Sequence, residues 1–512
     1  MALVFPFPVL SSLIVLPLLA AAALFFIKGD GLVRKFTLAA SLLEIVLALP
    51  LTAFRMGADF QFVERLSWVP QWGLQYYLAV DGISILMVWL TLATLPLCVL
   101  CSWTGIAKRT KEFHFCLLVM TSACIGVFTA MDLVLFYVFW EAMLIPMYLL
   151  IAVWGGDQRR YASIKFFLYT LAGSTLLLVA IVAFRIEGGT FSIPELMQRT
   201  FGFRFQILCF LAMALAFAIK VPMFPFHTWL PAAHVQAPAA GSVILAAILL
   251  KMGTYGFLRF CLPLTPAASE YFAPMMIVVS VASILYGGAV ALGQSDIKKL
   301  VAYSSVGHMG FVTLGIFLFN QRGVEGALFQ MLNHGVVTGG LFMMIGAVYE
   351  RSHSREIKKI LGLGKYMPAF MFFWGLFSLA SFGFPATNGF VGEILVFVGA
   401  FQHSLLVGLL LVPGALLSTA YMFRVGLKLA WGQPSAAKEW SDLSPREWLF
   451  LVVPAVMVFY IGLAPSLFFQ MITPSVDKLL ADYDQRRVAV LDHVPANALA
   501  GLAGAVAPAT KN

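Results

Sequence analysis

Charged side chains are scarce in this sequence. Only 11% of the 512 residues are Asp, Glu, Lys or Arg, whereas 61% are hydrophobic. A soluble domain averages about 25% charged and about 45–50% apolar residues, so this chain has too few polar groups to cover a soluble surface. The composition excludes a soluble enzyme, a disordered protein and a disulfide scaffold, and it predicts a membrane protein with many spans.

Cysteine and cofactor motifs are also scarce. All six cysteines lie in apolar stretches, and Cys98-x-x-Cys101 has redox spacing but no second pair, which favours two packed core thiols. Gly362-Leu-Gly364-Lys365 falls far short of a phosphate loop. The sequence contains no iron–sulfur, zinc, haem or dinucleotide pattern and no catalytic triad. We therefore expect no cofactor and no redox chemistry in this chain.

Long apolar runs account for most of the chain. They predict about fourteen transmembrane helices, because strands of a membrane barrel would alternate in polarity and be only about ten residues long. The start of the chain lacks basic residues, so we expect the first span there rather than a cleaved signal peptide. The runs lie near residues 3–27, 32–54, 79–103, 113–131, 132–154, 161–184, 204–230, 238–260, 271–292, 300–319, 324–348, 368–403, 404–431 and 447–470.

Loop charges predict the orientation. The 33 Lys and Arg exceed the 24 Asp and Glu by nine. Connectors after odd-numbered spans, with their flanking residues, hold 19 Lys and Arg, and those after even-numbered spans hold seven. Basic loops stay in the cytoplasm, so both termini are predicted on the periplasmic side. The basic excess is thus assigned to membrane orientation, and no nucleic-acid partner is predicted.

The runs also suggest a division of the chain. We expect a three-helix segment at 1–112, five-helix repeats at 113–260 and 261–431, a last span within 432–470, and a tail at 471–512. The tail changes from a short amphipathic stretch at 476–487 to an Ala/Gly/Pro-rich segment. Such a segment cannot bury enough apolar area to fold alone, so it is predicted to be disordered or to lie against a neighbour.

Four ionisable residues lie in the middle of apolar segments, namely Glu141, Lys220, Lys251 and Glu393. Each costs about 2.5–3.5 kcal/mol at the bilayer centre on insertion scales. They could be inert ion pairs that lock helices together, or they could form a path for protons or ions. Glu44, near the second span, is a weaker candidate that fits a packing role.

Histidines extend this set. His308 and His334 lie at mid-span in the tenth and eleventh runs, and His227 and His234 flank a proline-rich turn in the seventh. A lone buried histidine is more often a satisfied core residue than a relay. His308 and His334 are stronger candidates, because they share the membrane interior with Lys and Glu and their ordinary pKa near 6.5 suits reversible protonation.

Two spans are interrupted. Pro222 and Pro225 follow Lys220 in the seventh run, and Gly383 and Pro385 precede Glu393 in the twelfth. Broken helices at membrane depth are tolerated only where they are buried in protein or line a watery cavity. A single break could be a kinked packing helix, but paired breaks point to internal repeats with an ion site near the midplane.

Two long motifs carry a family resemblance. They read Lys220-Val-Pro-Met-Phe-Pro-Phe-His-Thr-Trp-Leu-Pro-Ala-Ala-His-Val-Gln-Ala-Pro and Ser295-Asp-Ile-Lys-Lys-Leu-Val-Ala-Tyr-Ser-Ser-Val-Gly-His-Met-Gly. The sequence over most of residues 75–430 resembles the antiporter-like membrane subunits of proton-pumping NADH–quinone oxidoreductase, or respiratory complex I. Glu393 favours the M-type (ND4-type) branch, because the L and N branches and the multisubunit sodium/proton antiporters generally have lysine there.

The resemblance implies a structure, partners and a location. It implies fourteen helices with inverted five-helix repeats and an ion pair between Glu141 and Lys220. The expected partners are the lipid bilayer and the other membrane subunits of the complex, above all two sister antiporter-like subunits. FMN and iron–sulfur clusters are expected in other subunits, and the location is the bacterial inner membrane. This chain has Ala232 where the family usually has an acid, so an essential acid is doubtful there.

These features lead to a hypothesis with two rivals. A charge pair at ~4 Å with an effective dielectric of ~20 is worth roughly 4 kcal/mol, and moving a proton across the membrane costs about 2.3 kcal/mol per 100 mV. Opening and closing one Glu–Lys pair could therefore gate proton transfer. We expect Glu141 to modulate Lys220, and a proton to pass through Lys251 and His308 or His334 to Glu393. The rivals are a subunit of a sodium/proton antiporter and a structural membrane spacer.

Overall fold

The computed structural model describes residues 7–433 and 440–491. Within them the chain is almost entirely helical, which confirms the predicted all-α polytopic architecture. The first half forms α1 (Val9–Ala23), α2 (Asp30–Leu47), α3 (Ile85–Cys101), α4 (Thr110–Thr129), α5 (Leu133–Ala142), α6 (Leu144–Trp154), α7 (Arg159–Gly188), α8 (Ile193–Leu196), α9 (Phe203–Lys220), α10 (Trp229–Gln236), α11 (Ala239–Ile244), α12 (Leu250–Gly256) and α13 (Leu262–Leu264).

The second half continues the bundle. It forms α14 (Pro266–Leu292), α15 (Ile297–Phe317), α16 (Gln321–Ser352), α17 (Leu363–Tyr366), α18 (Pro368–Ser381), α19 (Asn388–His403), α20 (Leu405–Trp431), α21 (Pro445–Leu463) and α22 (Ser466–Leu491). By length and apolar composition, twelve helices of the described residues could cross a membrane. The third and twelfth runs form shorter apolar helices, so the count of fourteen and the inverted repeats stay predictions, as does the division into segments.

Both interruptions predicted from the sequence are present. Helix α9 ends at Lys220 and α10 begins at Trp229, while α18 ends at Ser381 and α19 begins at Asn388. A third interruption at Met143 separates α5 from α6. Pro146 explains it, because proline donates no hydrogen bond and its ring clashes with the carbonyl four residues earlier.

A β-hairpin precedes the third membrane helix. Strand β1 (Gln61–Val69) pairs antiparallel with β2 (Leu74–Val80), and Gly73 adopts a left-handed φ of 72° in the turn. The third membrane helix therefore begins at Ile85 rather than near residue 79. The segment is too short and too polar to span a bilayer, and its backbone groups are paired within the hairpin.

The described part of the predicted tail is helical. Its amphipathic stretch lies inside α22, which lies against the ends of other helices rather than standing alone. Tyr483 donates a 2.6 Å hydrogen bond to Glu270 at the start of α14, and Thr473 donates one of 2.6 Å to Glu325 near the start of α16. The remainder of the predicted tail, residues 492–512, lies outside the described residues.

The most deeply buried helices lie at the centre of the bundle. The segment Ala239–Leu264 and helices α15 and α16 are almost wholly enclosed by protein, whereas α2, α20 and α21 expose apolar side chains outward. Since a helix that is apolar all round must be buried or face lipid, this order separates a protein-lined centre from a lipid-facing rim. Lys251, His308 and His334 all lie in the enclosed helices.

Candidate functional site

Lys220 is the last residue of α9 and is only 2% exposed. Pro222 follows it, and a proline ring excludes a continuing helix, so the lysine lies at an interruption inside the bundle. Its ammonium nitrogen is 3.5 Å from the Met143 sulfur and 4.8 Å from the centre of the Trp140 ring. The charge is thus held by a polarisable sulfur and an aromatic face.

The ion pair expected between Glu141 and Lys220 is not formed. No salt bridge joins the two residues, and one carboxylate oxygen of Glu141 is buried without a hydrogen-bond partner. Trp140 and Met143 lie three residues apart on one face of the kinked α5–α6 helix, whereas Glu141 is turned by about 100°. Lys220 therefore contacts the residues on either side of Glu141, and the structure has the pair open.

Lys251 lies in α12 between two π-helical segments, residues 245–249 and 257–261. π-Turns inside α-helices are uncommon and frequently accompany functional sites. Its side chain is completely buried, and its ammonium nitrogen lies 2.5 Å from the carbonyl oxygen of Ala246 and 2.5 Å from Nδ1 of His334. The structure therefore places two groups from the predicted set in direct contact.

His334 continues the line toward His308. Their ring centres are 5.8 Å apart, and both residues are buried. His308 places Nδ1 3.5 Å from Oε1 of Glu393, while its Nε2 lies 3.2 Å from the Ser381 hydroxyl. Lys251, His334, His308 and Glu393 thus form one row across the centre of the bundle, and both histidines take part rather than one of them.

The break between α18 and α19 shapes the end of this row. Gly383 has a left-handed φ of 70°, and a Cβ there would lie 2.7 Å from Oε2 of Glu393. Only glycine combines that backbone conformation with such a close approach. The Gln330 amide donates a 3.2 Å hydrogen bond to Oε1 of Glu393. The sequence-predicted break is therefore what brings backbone and carboxylate together.

A small cavity adjoins the row. It has a volume of about 10 Å³ and is lined by polar groups that include His308, His334, Gln330 and Ser381. A space of about 10–15 Å³ with several polar partners accommodates one water molecule. The 5.8 Å gap between the histidine rings thus adjoins a position where a single water could bridge donors and acceptors.

Lys220 is not joined to Lys251 by a hydrogen bond within the described ranges. The helices that carry them do touch, because a Cβ on Gly253 would lie 3.1 Å from Cβ of Lys220. The other two candidate histidines also lie off the row. His227 packs with its ring centre 4.9 Å from that of Tyr286, and His234 stacks on Phe342 at 4.5 Å.

The sequence analysis did not predict several polar residues of the site. Tyr421 reaches His308 Nε2 at 3.4 Å, and Gln330 and Ser381 complete the surroundings of Glu393 and His308. Gln330 could have been found, since it lies four residues before His334 and therefore on the same helix face. Ser381 and Tyr421 carry no such local signal.

Two basic residues that had been counted as loop charges are buried instead. Arg259 forms a 2.6 Å salt bridge with Asp81, and both side chains are at most 5% exposed. Lys298 donates a 2.6 Å hydrogen bond to the carbonyl oxygen of Ala237. Their side chains reach into the protein from helix ends, so charge counting by sequence position alone misplaces them.

The row has the chemistry of proton transfer. A lysine ammonium has three donors and no acceptor, whereas a neutral histidine offers one nitrogen of each kind. The close contact between Lys251 and His334 therefore suits one shared proton, and the carboxylate of Glu393 can accept a proton from His308. Across residues 7–433 and 440–491, no group of three or more His, Cys, Asp or Glu could hold a metal ion.

Comparisons with known proteins identify the family. A family model described as NADH:quinone oxidoreductase/Mrp antiporter, TM, matches residues 130–418. NADH-quinone oxidoreductase subunit M of Rhodobacter capsulatus is 45% identical over 93% of this chain and 96% of its own length. NADH-ubiquinone oxidoreductase chain 4 of Arabidopsis thaliana is 42% identical over 92% of this chain and 97% of its own length.

A solved structure is similar as well. A chain of respiratory complex I from Thermus thermophilus with bound NADH superposes with a TM-score of 0.87 at 30% identity, covering 93% of this chain and 99% of that one. The matched family segment contains both broken helices and all six candidate residues. The chain therefore belongs to the NADH:quinone oxidoreductase/Mrp antiporter family of membrane proteins.

Proposed function

We propose that this chain is the M-type membrane subunit of an NADH–quinone oxidoreductase and that it moves protons along its buried row of ionisable groups. The observation that carries the proposal is the row itself, since Lys251 contacts His334 at 2.5 Å and His308 approaches Glu393 to 3.5 Å. An inert spacer would need each buried charge neutralised by a fixed partner, but Lys220 forms no salt bridge among the described residues, and its ammonium lies against the Met143 sulfur and the Trp140 ring.

Lys220 and Glu141 act as the gate in this proposal. Lys220 holds its proton best when the Glu141 carboxylate is close and releases it when the pair is open, because burial disfavours an unpaired ammonium. The proton released when the pair opens passes toward Lys251. It crosses the contact between α9 and α12, where Gly253 has no side chain and so lets the two helices pack closely.

The second half of the transfer runs through the row. Lys251 gives a proton to Nδ1 of His334, His334 passes one to His308, and His308 protonates the carboxylate of Glu393. Glu393 then releases its proton toward the outside, which returns the four groups to their starting protonation states. Each step needs only rotation of a side chain or one bridging water, and the small cavity beside the histidines has room for that water.

The energy for transfer comes from outside this chain. FMN and iron–sulfur clusters in other subunits would supply the redox chemistry, and the sister antiporter-like subunits would be the membrane neighbours. The names of the relatives support that assembly. The location is the bacterial inner membrane, with both termini on the periplasmic side as the loop charges predict.

Proton pumping in the assembled complex tests the proposal. Gentle solubilisation should recover the chain with flavin and iron–sulfur subunits, and proteoliposomes should then report pumping coupled to NADH oxidation. Lys220→Ala and Glu141→Gln should both leave assembly intact while quinone reduction and pumping fall together. Glu187→Gln, which changes an exposed carboxylate at the end of α7, is the matched control.

Two results would overturn it. If the assembled Lys220→Ala complex pumps as fast as the Glu187→Gln control, the chain is a structural spacer. If the chain purifies only with cation-transport subunits and without flavin or iron–sulfur proteins, it is a subunit of a sodium/proton antiporter.

A further inference from the structure

A groove on the outer face of the bundle lies apart from the proton row. It has a volume of about 830 Å³ and runs between α18 and α20, with α17 at one end. That volume lies within the range of about 300–1,000 Å³ that ligand sites occupy. The side chains of Phe423 and Leu427 on its α20 wall are about half exposed, so the groove opens toward the lipid.

Two hydrogen-bond donors inside the groove have no partner. Trp374 is 1% exposed, and its indole nitrogen makes no hydrogen bond; Ser378, one helical turn later on α18, has an equally unpartnered buried hydroxyl. The indole nitrogen points toward Gly426, where a Cβ would lie 3.8 Å away. Because a buried polar group without a partner costs about 1–3 kcal/mol, these donors indicate an occupant with acceptor oxygens.

A cation lies at one end of the groove. Lys365 is exposed on α17, and the contact found for its ammonium is the neighbouring Tyr366 ring at 5.6 Å. Trp431, which is 80% exposed, lines the same end. Tyrosine, tryptophan and lysine together mark the level of lipid headgroups. This end belongs to the loop side that the charge distribution assigns to the cytoplasm.

The length of the groove selects the kind of occupant. It follows α20 from Met422 to Trp431, and ten residues of helix rise about 15 Å. That is half of a hydrocarbon core of about 30 Å, which matches one leaflet. A transmembrane helix of a neighbouring subunit would need a contact face across both leaflets, whereas a phospholipid needs only this depth.

We infer that the groove between α18 and α20 binds one anionic phospholipid of the cytoplasmic leaflet. Its phosphate lies at Lys365, its ester oxygens accept hydrogen bonds from Trp374 and Ser378, and an acyl chain fills the groove as far as Phe382. Basic pockets between membrane helices on the cytoplasmic side are typical sites for anionic headgroups. The groove ends at Phe382, in the break between α18 and α19, so the lipid would also support the broken helix.

Photolabelling of the purified complex in nanodiscs tests this site. The probes are phosphatidylglycerol and phosphatidylcholine, each with a diazirine on one acyl chain, and labelled peptides are identified by mass spectrometry. We expect the phosphatidylglycerol probe to label α18 and α20 more strongly than the phosphatidylcholine probe does. Lys365→Gln should weaken that labelling about fivefold, the effect of one basic residue near a membrane surface.

Further variants distinguish specific lipid binding in the groove from non-specific labelling of lipid-exposed helices. Gly375→Leu should abolish labelling, because Gly375 lines the groove, a Cβ there meets nothing within 4 Å, and the longer side chain would occupy the space of the acyl chain. Lys28→Gln and Gly31→Leu, at exposed positions before and within α2, are the controls and should leave labelling unchanged.

Three outcomes would overturn the inference. Equal labelling by both probes would remove the charge preference, and labelling that survives both Lys365→Gln and Gly375→Leu would remove the site. A benzophenone side chain introduced at Gly375 should cross-link to phospholipid, and a peptide of another subunit found there instead would assign the groove to a protein neighbour.

Discussion

The ammonium nitrogen of Lys251 lies 2.5 Å from Nδ1 of His334. At that distance only one proton can lie in the space between the two nitrogens, since one nitrogen must donate and the other must accept. The remaining nitrogen of His334 has no hydrogen-bond partner and is buried near His308. In the proposed transfer this pair would receive a proton on the Lys251 side and pass it on from the free ring nitrogen of His334.

The first prediction concerns this pair. His334→Phe removes both ring nitrogens at similar volume, and Lys251→Met removes the ammonium. We expect either change to lower the rate of proton pumping by at least about tenfold. This is a conservative figure, because a positioned proton-transfer group can contribute roughly 100-fold or more. Pumping by proteoliposomes, normalised to assembled complex, is the measurement.

The control is His114→Phe. His114 is completely buried in α4, and both of its ring nitrogens are unpartnered, but it lies outside the row. If His334→Phe pumps as well as His114→Phe does, His334 fills space and carries no proton.

The second prediction concerns the end of the row. Glu393→Gln keeps the hydrogen bond from Gln330 possible but removes the acidic proton, so pumping should fall although the complex assembles. The control is Glu44→Gln, which changes another buried carboxylate, 1% exposed. It should leave the pumping rate within about twofold of the unmodified complex, because a twofold change corresponds to only about 0.4 kcal/mol, the size of effect that an uninvolved substitution commonly has.

A further pair of variants distinguishes proton transfer by Glu393 from a mere requirement that this position carry no positive charge. Glu393→Ala should damage pumping at least as much as Glu393→Lys, because lysine retains an ionisable group. A silent Glu393→Ala together with an inactive Glu393→Lys would show that the site only excludes positive charge.

The third prediction concerns the buried Asp81–Arg259 pair. Asp81→Asn leaves the arginine without its counter-charge, which should destabilise the subunit by about 3–5 kcal/mol. The measurement is the thermal denaturation midpoint and the yield of assembled complex. The double change Asp81→Asn/Arg259→Met should recover much of the loss, since no unpaired charge remains.

The exposed Arg109–Glu112 pair provides the comparison. Its side chains are 59% and 48% exposed, so Glu112→Gln should cost about 0–1 kcal/mol. A loss for Asp81→Asn as small as that for Glu112→Gln would mean that water reaches Arg259.

The fourth prediction is a pH dependence at the hairpin. Glu195, beyond the membrane helices in α8, accepts hydrogen bonds from Thr190 at 2.7 Å and from Arg65 of β1 at 2.5 Å. Burial raises the pKa of its carboxyl, but these bonds and the Arg65 charge outweigh burial and lower the pKa below its ordinary value of 4.5. The stabilisation is therefore complete above pH 4.5 and is lost as the pH falls through the lowered folded-state pKa.

Hydrogen exchange of the hairpin amides measures this effect. Protection at residues 61–80, corrected for intrinsic exchange rates, should weaken in acid by no more than about 1 kcal/mol, because the pair is partly exposed. Glu195→Gln should remove the pH dependence. An acid loss of equal size in Glu195→Gln would assign the effect to another group.

The sequence determined the membrane architecture by itself. Apolar runs of bilayer length and the proline-containing breaks after Lys220 and before Glu393 are local properties, because span length and proline chemistry act within a few residues. The cost of a charge in lipid is also local, and it singled out Glu141, Lys220, Lys251 and Glu393. The hairpin was missed because a run of apolar and aromatic residues, 74–80, leads directly into a membrane helix.

Only the tertiary structure decided which of these groups meet. Lys251 and His334 are 83 residues apart in sequence, and His308 and Ser381 are 73 apart, so their contacts follow from helix packing and rotation rather than from spacing. Packing also left Glu141 and Lys220 without a salt bridge and buried Arg259 against Asp81. A side chain's direction around its helix depends on the neighbours it packs against, and a single sequence does not specify those neighbours.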